Sequence, residues 1–209
     1  MEAVIPYEQR LNANPRLALL EGGMHFERAS KVYQTLLKVT TRLDALGISY
    51  ALVGGMAMFL HGYRRFTEDV DILVTRDSLK LIHEQLEGSG YLPPFEGSKQ
   101  LRDTDNGVRI EFLVTGGYPG DGKEKPVSFP DPATVFTVID GIKVLNLPTL
   151  VQLKLASGTA PGRIKDLGDV QELIRVTGLS EEFAEQLDPS VRDQYRKLWR
   201  ELQSLPPSE

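Results

Sequence analysis

The feature that most constrains the fold is a pair of short apolar runs that carry residues an ordinary strand does not need. The first run, residues 49–53, is of strand type and is followed at once by Gly54-Gly55. The second alternates apolar side chains with Asp69 and Asp71, which is the period of two that a strand requires. The sequence therefore predicts two strands, one ending in a glycine turn and one bearing two acids.

Patterns on either side of these runs predict a mixed sheet with helices. Helical spacing of apolar residues begins at Phe26 and stops before Gly47, which is a typical helix end. Asp-Asn-Gly at 105–107 and Asp-Gly at 140–141 each separate two strand-like runs, which is typical of hairpins. The fold class predicted is α/β, with three regions: an irregular N-terminal arm at 1–25, a mixed-sheet core at 26–145 and a helical C-terminal region at 146–209.

Composition limits the classes of function. The chain has 209 residues, no cysteine and a formal net charge of -5, so disulfides, thiolate metal sites and cysteine catalysis are excluded. The N-terminus lacks a basic segment followed by an apolar core, and no apolar run approaches the roughly 20 residues that cross a bilayer. We therefore expect a cytoplasmic protein without a membrane partner. The acidic balance argues against a partner of duplex DNA.

Three acids point to a metal-dependent reaction. Asp69 and Asp71 lie two apart on a strand, so both side chains leave the same face roughly 7 Å apart. Glu111 lies in a second apolar run, and the three carboxylates converge if the two strands pair. Mg²⁺ or Mn²⁺ accepts such oxygen ligands, and the Gly54-Gly55 turn could hold a phosphate. Each signal alone also fits a plain turn or an exposed strand face.

Together these residues resemble the DNA polymerase beta-like nucleotidyltransferase superfamily. That family combines a Gly-Gly or Gly-Ser turn, a spacer of about this size, an Asp-x-Asp strand and a third carboxylate on a later strand. The resemblance implies that Asp69, Asp71 and Glu111 bind metal and act in catalysis, with Glu111 as the best general base. It also implies transfer of a nucleoside monophosphate from a nucleoside triphosphate to an acceptor hydroxyl, which belongs to a small molecule, an RNA end or a protein.

A closer resemblance is to the bacterial branch that includes toxin-like nucleotidyltransferases of abortive-infection systems. The residues that match its pattern are Gly54, Gly55, Ala57, His61, Gly62, Arg65, Thr67, Asp69 and Asp71. The resemblance implies that Gly54, Gly55, Arg65, Thr67 and Lys154 bind the nucleotide. It further implies that Asp166 and Asp169 support the site from behind, or order the C-terminal helices. Glu111 in place of the commoner Asp, and Gly55 in place of Ser, depart from the branch.

Several residues keep a plainer interpretation. His61 is expected to cap or pack the short helix after Gly55, and His25 to lie on a helix surface. Lys165 and Asp169 are four apart, which is typical of a surface ion pair. The alternative function is a non-catalytic relative that binds a nucleotide or a partner protein, for example an antitoxin-like protein within a toxin–antitoxin pair.

Overall fold

The structure is a computed structural model and describes residues 4–204. Its helices are α1 Tyr7–Ala13, α2 Pro15–Phe26, α3 Lys31–Ala45, α4 Gly54–Leu60, α5 Arg76–Leu86, α6 Leu147–Gly158, α7 Ile164–Thr177 and α8 Pro189–Gln203. Its strands are β1 Tyr50–Val53, β2 Asp69–Val74, β3 Tyr91–Leu92, β4 Gln100–Asp103, β5 Arg109–Val114, β6 Phe136–Ile139 and β7 Ile142–Leu145. The predicted α/β class is confirmed. No helix among the described residues is both long and apolar enough to cross a bilayer.

One seven-stranded mixed sheet has the strand order β3-β4-β5-β2-β1-β7-β6. β2 is therefore central, with β1 antiparallel on one side and β5 parallel on the other. Both predicted hairpins form, as β4–β5 and β6–β7. In the second hairpin Asp140 and Gly141 have φ values of 51° and 80°, the left-handed pair that a type I′ turn requires.

Helix α3 supplies a large part of the core beside the central strands. Its N-terminus is capped by Ser30, whose side chain accepts a hydrogen bond from the Tyr33 amide. Its buried apolar residues recur at helical spacing, namely Val32, Leu36, Val39 and Leu43. The helix starts at Lys31, later than the predicted start at Phe26, because Phe26 ends the preceding helix.

The prediction of an irregular arm at 1–25 is wrong for the described part, which forms α1 and α2. Pro6 precedes α1 and Pro15 lies in the first turn of α2, two positions where proline is tolerated. Helix α2 shows no clear apolar stripe because Leu19 and Leu20 are 80% and 60% exposed. Residues 1–3 lie outside the described residues.

The C-terminal region is helical, as predicted, through α6, α7 and α8. These helices pack against one another. The first of them is capped by Asn146, whose side chain accepts a hydrogen bond from the Thr149 amide. The tail at 205–209, which belongs to the predicted C-terminal region, lies outside the described residues. Helix α6 places Lys154 against the cleft described next.

Candidate active site

The three predicted acids lie on neighbouring strands of one cleft. β2 and β5 are parallel, with Asp69 opposite Arg109 and Asp71 opposite Glu111. Adjacent strands are about 4.8 Å apart, so Asp71 and Glu111 are direct neighbours. All three acids line a cleft of about 960 Å³. The two strands pair, so the condition under which the three carboxylates were expected to converge is met.

Asp71 is the electrostatic centre of this cluster. Burial, and then the negative charges of Asp69 and Glu111, raise the pKa of Asp71 from 3.8 to about 7. The positive charges of Lys154 and Arg109 act in the opposite direction but do not cancel the rise. The three carboxylates repel one another because they lie on adjacent strands of one cleft.

Asp69 is bound by two side chains on its own side of the cleft. Thr67 Oγ1 donates to Asp69 Oδ1 at 2.9 Å, and Arg109 Nη2 donates to Asp69 Oδ2 at 2.5 Å. Burial alone would lower the pKa of Arg109, but the bond to Asp69 and the acids around it raise the pKa. Sequence reasoning missed Arg109. Its signal is the strand period, because it lies two residues before Glu111.

The strands bring the acids together, but their oxygens do not form a metal site in this conformation. Among residues 4–204, no group of three or more His, Cys, Asp or Glu side chains is arranged to hold a metal ion. The engagement of Asp69 by Arg109 and Thr67 gives a physical reason. The donor chemistry itself, carboxylate oxygens crowded to the point of mutual repulsion, is what a divalent cation requires.

The glycine turn joins β1 to α4 and faces the acids. Gly54 has a φ of +62°, and a Cβ there would lie 1.8 Å from Asp71 Oδ2. A Cβ on Gly55 would lie 2.7 Å from Thr67 Oγ1. Both glycines are therefore required locally, since side chains at these positions would displace Asp71 and Thr67. Both also line the cleft, as a phosphate-binding turn would.

Lys154 lies between two buried carboxylates. Its Nζ donates to Asp166 Oδ1 at 2.6 Å and to Asp169 Oδ2 at 2.7 Å. Ser157 Oγ and Arg163 Nε complete the shell of Asp166 at 2.7 and 2.8 Å. Burial would raise the pKa of Asp166, but Lys154 and these donors lower it. Asp166 and Asp169 thus fix Lys154 at the cleft wall, and sequence reasoning gave no role to Ser157 or Arg163.

Arg65 lines the cleft and reaches the same buried acids. Its Nε lies 3.6 Å from Asp169 Oδ1, which is too long for a hydrogen bond. That Nε is buried, and among the described residues it has no hydrogen-bond partner. The predicted surface pair of Lys165 with Asp169 is wrong, because Asp169 is buried against Lys154 and Arg65.

The predicted position is confirmed for His61 and is wrong for His25. His61 ends α4, and its Nε2 lies 2.8 Å from the Leu145 carbonyl oxygen. Burial lowers the pKa of His61, which confirms the packing interpretation. His25 was expected on a helix surface, and this is wrong. It is 1% exposed, and its Nε2 lies 3.1 Å from the Arg65 carbonyl oxygen.

Comparison with known proteins gives similarity at the level of structure. No protein-family model and no curated protein matches the chain. The crystal structure of ANT(2″)-Ia in complex with adenylyl-2″-tobramycin matches with a TM-score of 0.51 and 12% identity, covering 79% of this chain and 97% of that one. An antigenic nucleotidyltransferase-like protein from Paracoccidioides brasiliensis matches with a TM-score of 0.48 and 18% identity, covering 82% of this chain and 91% of that one. The lincomycin-bound lincosamide antibiotic adenylyltransferase LnuA matches with a TM-score of 0.47 and 16% identity, covering 69% of this chain and 97% of that one. The likeness to ANT(2″)-Ia shows that this chain has the fold of that protein.

Proposed function

We propose that this protein is an enzyme that transfers a nucleoside monophosphate from a nucleoside triphosphate to an acceptor hydroxyl. The observation that carries the proposal is the convergence of Asp69, Asp71 and Glu111 from adjacent parallel strands into one cleft. The Gly54-Gly55 turn lines the same cleft. The nucleotidyltransferase fold supports the assignment of the reaction class.

We propose that Mg²⁺, or Mn²⁺, is held by Asp69, Asp71 and Glu111. These side chains offer hard oxygen donors, and their mutual repulsion is relieved when a cation binds. A bound cation would neutralise charge on the triphosphate and lower the pKa of an attacking hydroxyl. For Asp69 to serve as a ligand, Arg109 must release Oδ2.

Each remaining site residue has a role that follows from its charge and position. Glu111 is the proposed general base, since it lies beside Asp71 and would accept the proton of the acceptor hydroxyl. Lys154 and Arg65 are cations on the cleft wall, suited to triphosphate oxygens. Thr67 fixes Asp69 while packing against Gly55. The buried carboxylates of Asp166 and Asp169 form ion pairs with Lys154 and fix the position of its ammonium group.

The charge of the cleft favours anionic ligands and disfavours a polycationic acceptor. Seven cationic side chains and four carboxylates line it, although the whole chain has a net charge of -5. The cations are Arg65, Arg76, Lys99, Arg109, Lys154, Arg163 and Lys165. A triphosphate with two divalent cations is about neutral, so this excess would remain when the substrate is bound. Small hydroxylated compounds that are not polycations, RNA ends and protein hydroxyls all remain candidate acceptors.

A label-transfer assay tests the proposal. The protein is incubated with Mg²⁺ and each of four α-³²P nucleoside triphosphates, with total RNA, a cell-extract small-molecule fraction or protein as acceptor. We expect label in one acceptor class, released pyrophosphate, and a loss of several orders of magnitude in Asp71→Asn. Exposed Asp77→Asn on α5 is the matched control and should keep full transfer. Equal transfer by parent and Asp71→Asn would contradict the proposal.

One observation favours a second candidate, a non-catalytic module that binds a nucleotide or a partner protein. Both oxygens of Asp69 are already engaged by Thr67 and Arg109, and these hydrogen bonds compete with metal coordination. The motif residues that resemble the toxin-like branch would then serve a partner, such as an antitoxin-like protein. Nucleoside triphosphate binding without Mg²⁺ dependence and without transfer would favour this candidate.

A further inference from the structure

We call residues 61–68, which join α4 to β2, the motif loop. It carries Arg65 and Thr67 to the cleft wall. Within the described part of the chain, the backbone of residues 64–67 makes no hydrogen bond to another backbone group. The loop also lies directly before Asp69, so its position decides where β2 begins. Its conformation must therefore depend on side chains that reach it from other elements.

His25, in the last turn of α2, is such a side chain. Its Nε2 lies 3.1 Å from the carbonyl oxygen of Arg65. The imidazole is 1% exposed, and the rings of Phe59 and Phe66 contact it edge to face at centroid distances of 5.0 and 5.2 Å. Phe66 belongs to the motif loop, so His25 holds two consecutive residues of the loop, one through its backbone and one through its ring.

The hydrogen bonds of His25 define its tautomer. A carbonyl oxygen only accepts, so Nε2 carries the hydrogen that binds Arg65. On the other side of the ring, Nδ1 lies 3.4 Å from Ser30 Oγ. That hydroxyl accepts from the Tyr33 amide and can donate to Nδ1. Both ring nitrogens are thus occupied, and the ring is fixed between the start of α3 and the motif loop.

The N-terminal helices are themselves anchored beside the other acid-bearing strand, to β4 and to the turn before β5. The Tyr7 amide donates to the Gly107 carbonyl at 2.9 Å. Arg102, on β4, makes a bidentate pair with Glu8 at 3.0 and 2.9 Å. Tyr7 Oη donates to the buried Glu21 at 3.0 Å, which ties α1 to α2. The helices therefore bridge the turn just before β5 and the loop just before β2.

We propose that α1 and α2 form a positioning element for the candidate site, and that His25 is the positioning residue that holds Arg65 and Thr67 at the cleft. This inference rests on the proposed nucleotide site. Loss of the His25 contact leaves the Arg65 carbonyl without its imidazole partner, and the loop shifts to regain one. Arg65 and Thr67 then leave the positions in which they face the cleft.

Two polar substitutions separate positioning from simple packing. His25→Gln keeps an N–H at about the reach of Nε2, whereas His25→Asn is one methylene too short to reach the Arg65 carbonyl. His83→Asn, on α5 and away from the motif loop, is the matched control. The first readout is the dissociation constant of whichever of ATP, GTP, CTP and UTP binds the parent most tightly with Mg²⁺. The second is amide hydrogen exchange of residues 61–68 in the free full-length protein.

We expect His25→Asn to raise the dissociation constant at least about fivefold, and His25→Gln to stay within about twofold of the parent. Exchange in the motif loop should increase in His25→Asn only. The effect should also depend on Arg65, so His25→Asn should weaken binding less in an Arg65→Ala background than in the parent. The positioning role would be overturned if His25→Asn weakened nucleotide binding by the same factor with and without Arg65→Ala. It would also be overturned if hydrogen exchange of residues 61–68 were unchanged in His25→Asn.

The outcomes keep this inference separate from the proposed function. If the parent binds no nucleoside triphosphate, the proposed function fails, and loop exchange alone decides the role of His25. If the parent binds and both His25 variants bind equally well, the nucleotide site stands and the positioning role is refuted. If His25→Asn does not fold, His25→Gln still tests the role, because it keeps the N–H that reaches the Arg65 carbonyl: a dissociation constant fivefold or more above that of the parent, or faster exchange at residues 61–68, would overturn the inference.

Discussion

Removing the charge of Asp71 should stabilise the metal-free protein, and the gain should depend on pH. The folded state raises the pKa of Asp71 from 3.8 to about 7, first through burial and then through Asp69 and Glu111. Each pKa unit corresponds to about 1.4 kcal/mol, so the ionised carboxylate destabilises the fold by at most about 4 kcal/mol. The residue is only partly buried, and screening by solvent reduces the effect to roughly 1–3 kcal/mol.

The sign of the pH dependence follows from proton linkage. Between about pH 4 and 7 the folded protein keeps a proton on Asp71 that the unfolded chain has released. The free energy of unfolding of the parent therefore falls as pH rises through this window, and levels off above the folded-state pKa. Asp71→Asn has no charge to lose at this position. Its advantage over the parent should be small near pH 4 and largest above pH 7.

Urea unfolding in EDTA measures this difference. We expect the advantage of Asp71→Asn to grow by roughly 1 to 2.5 kcal/mol between pH 5 and pH 8. Exposed Asp77→Asn, on α5, should differ from the parent by a small amount that does not grow with pH. An Asp71→Asn advantage that is independent of pH, or a variant less stable than the parent at pH 8, would refute the electrostatic reasoning.

Three further outcomes follow from the same contacts. Gly54→Ala should lower the melting temperature by several degrees, because the new Cβ would lie 1.8 Å from Asp71 Oδ2 and the residue has a φ of +62°. The control is Gly22→Ala on α2, where a Cβ meets nothing within 4 Å, so its melting temperature should be unchanged or higher. Lys154→Met should destabilise by roughly 2–4 kcal/mol in chemical denaturation at pH 7 and by less near pH 4, because Asp166 loses the cation that lowers its pKa. Tobramycin should accept no label in the transfer assay, because the cleft has an excess of cations; efficient labelling would contradict that account of the cleft.

The centre of the sheet could be predicted from local pattern because its constraints are local. Asp69 and Asp71 share a strand face by period, and the flanking apolar residues place that strand inside a sheet. Glu111 follows the Asp-Asn-Gly turn, so its strand was fixed by turn chemistry. The pairing of the two strands needed the family resemblance, since parallel pairing between distant segments leaves no local signal.

The contacts around the acids could not be predicted, because each depends on a partner far along the chain. His25 looks like a surface residue in sequence, yet the motif loop covers it forty positions later. Helix α2 exposes Leu19 and Leu20 and buries the polar residues Glu21 and His25, so it has no apolar stripe to detect. Asp169 suits a surface pair by spacing, but α6 brings Lys154 against it.

Two cations partly offset the repulsion among the three crowded acids. Arg109 reaches across from β5 to Asp69, and the charge of Lys154 also lowers the pKa of Asp71. Neither cation is optimally placed for Asp71, whose pKa remains raised. Electrostatic repulsion of Asp71 by Asp69 and Glu111 therefore remains at the centre of the sheet. A divalent cation held by these acids, as proposed, would relieve that repulsion most completely if Arg109 withdrew from Asp69, which would free a guanidinium at the cleft wall. Under that proposal, metal binding and the release of a cation toward an anionic substrate would be linked through a single contact.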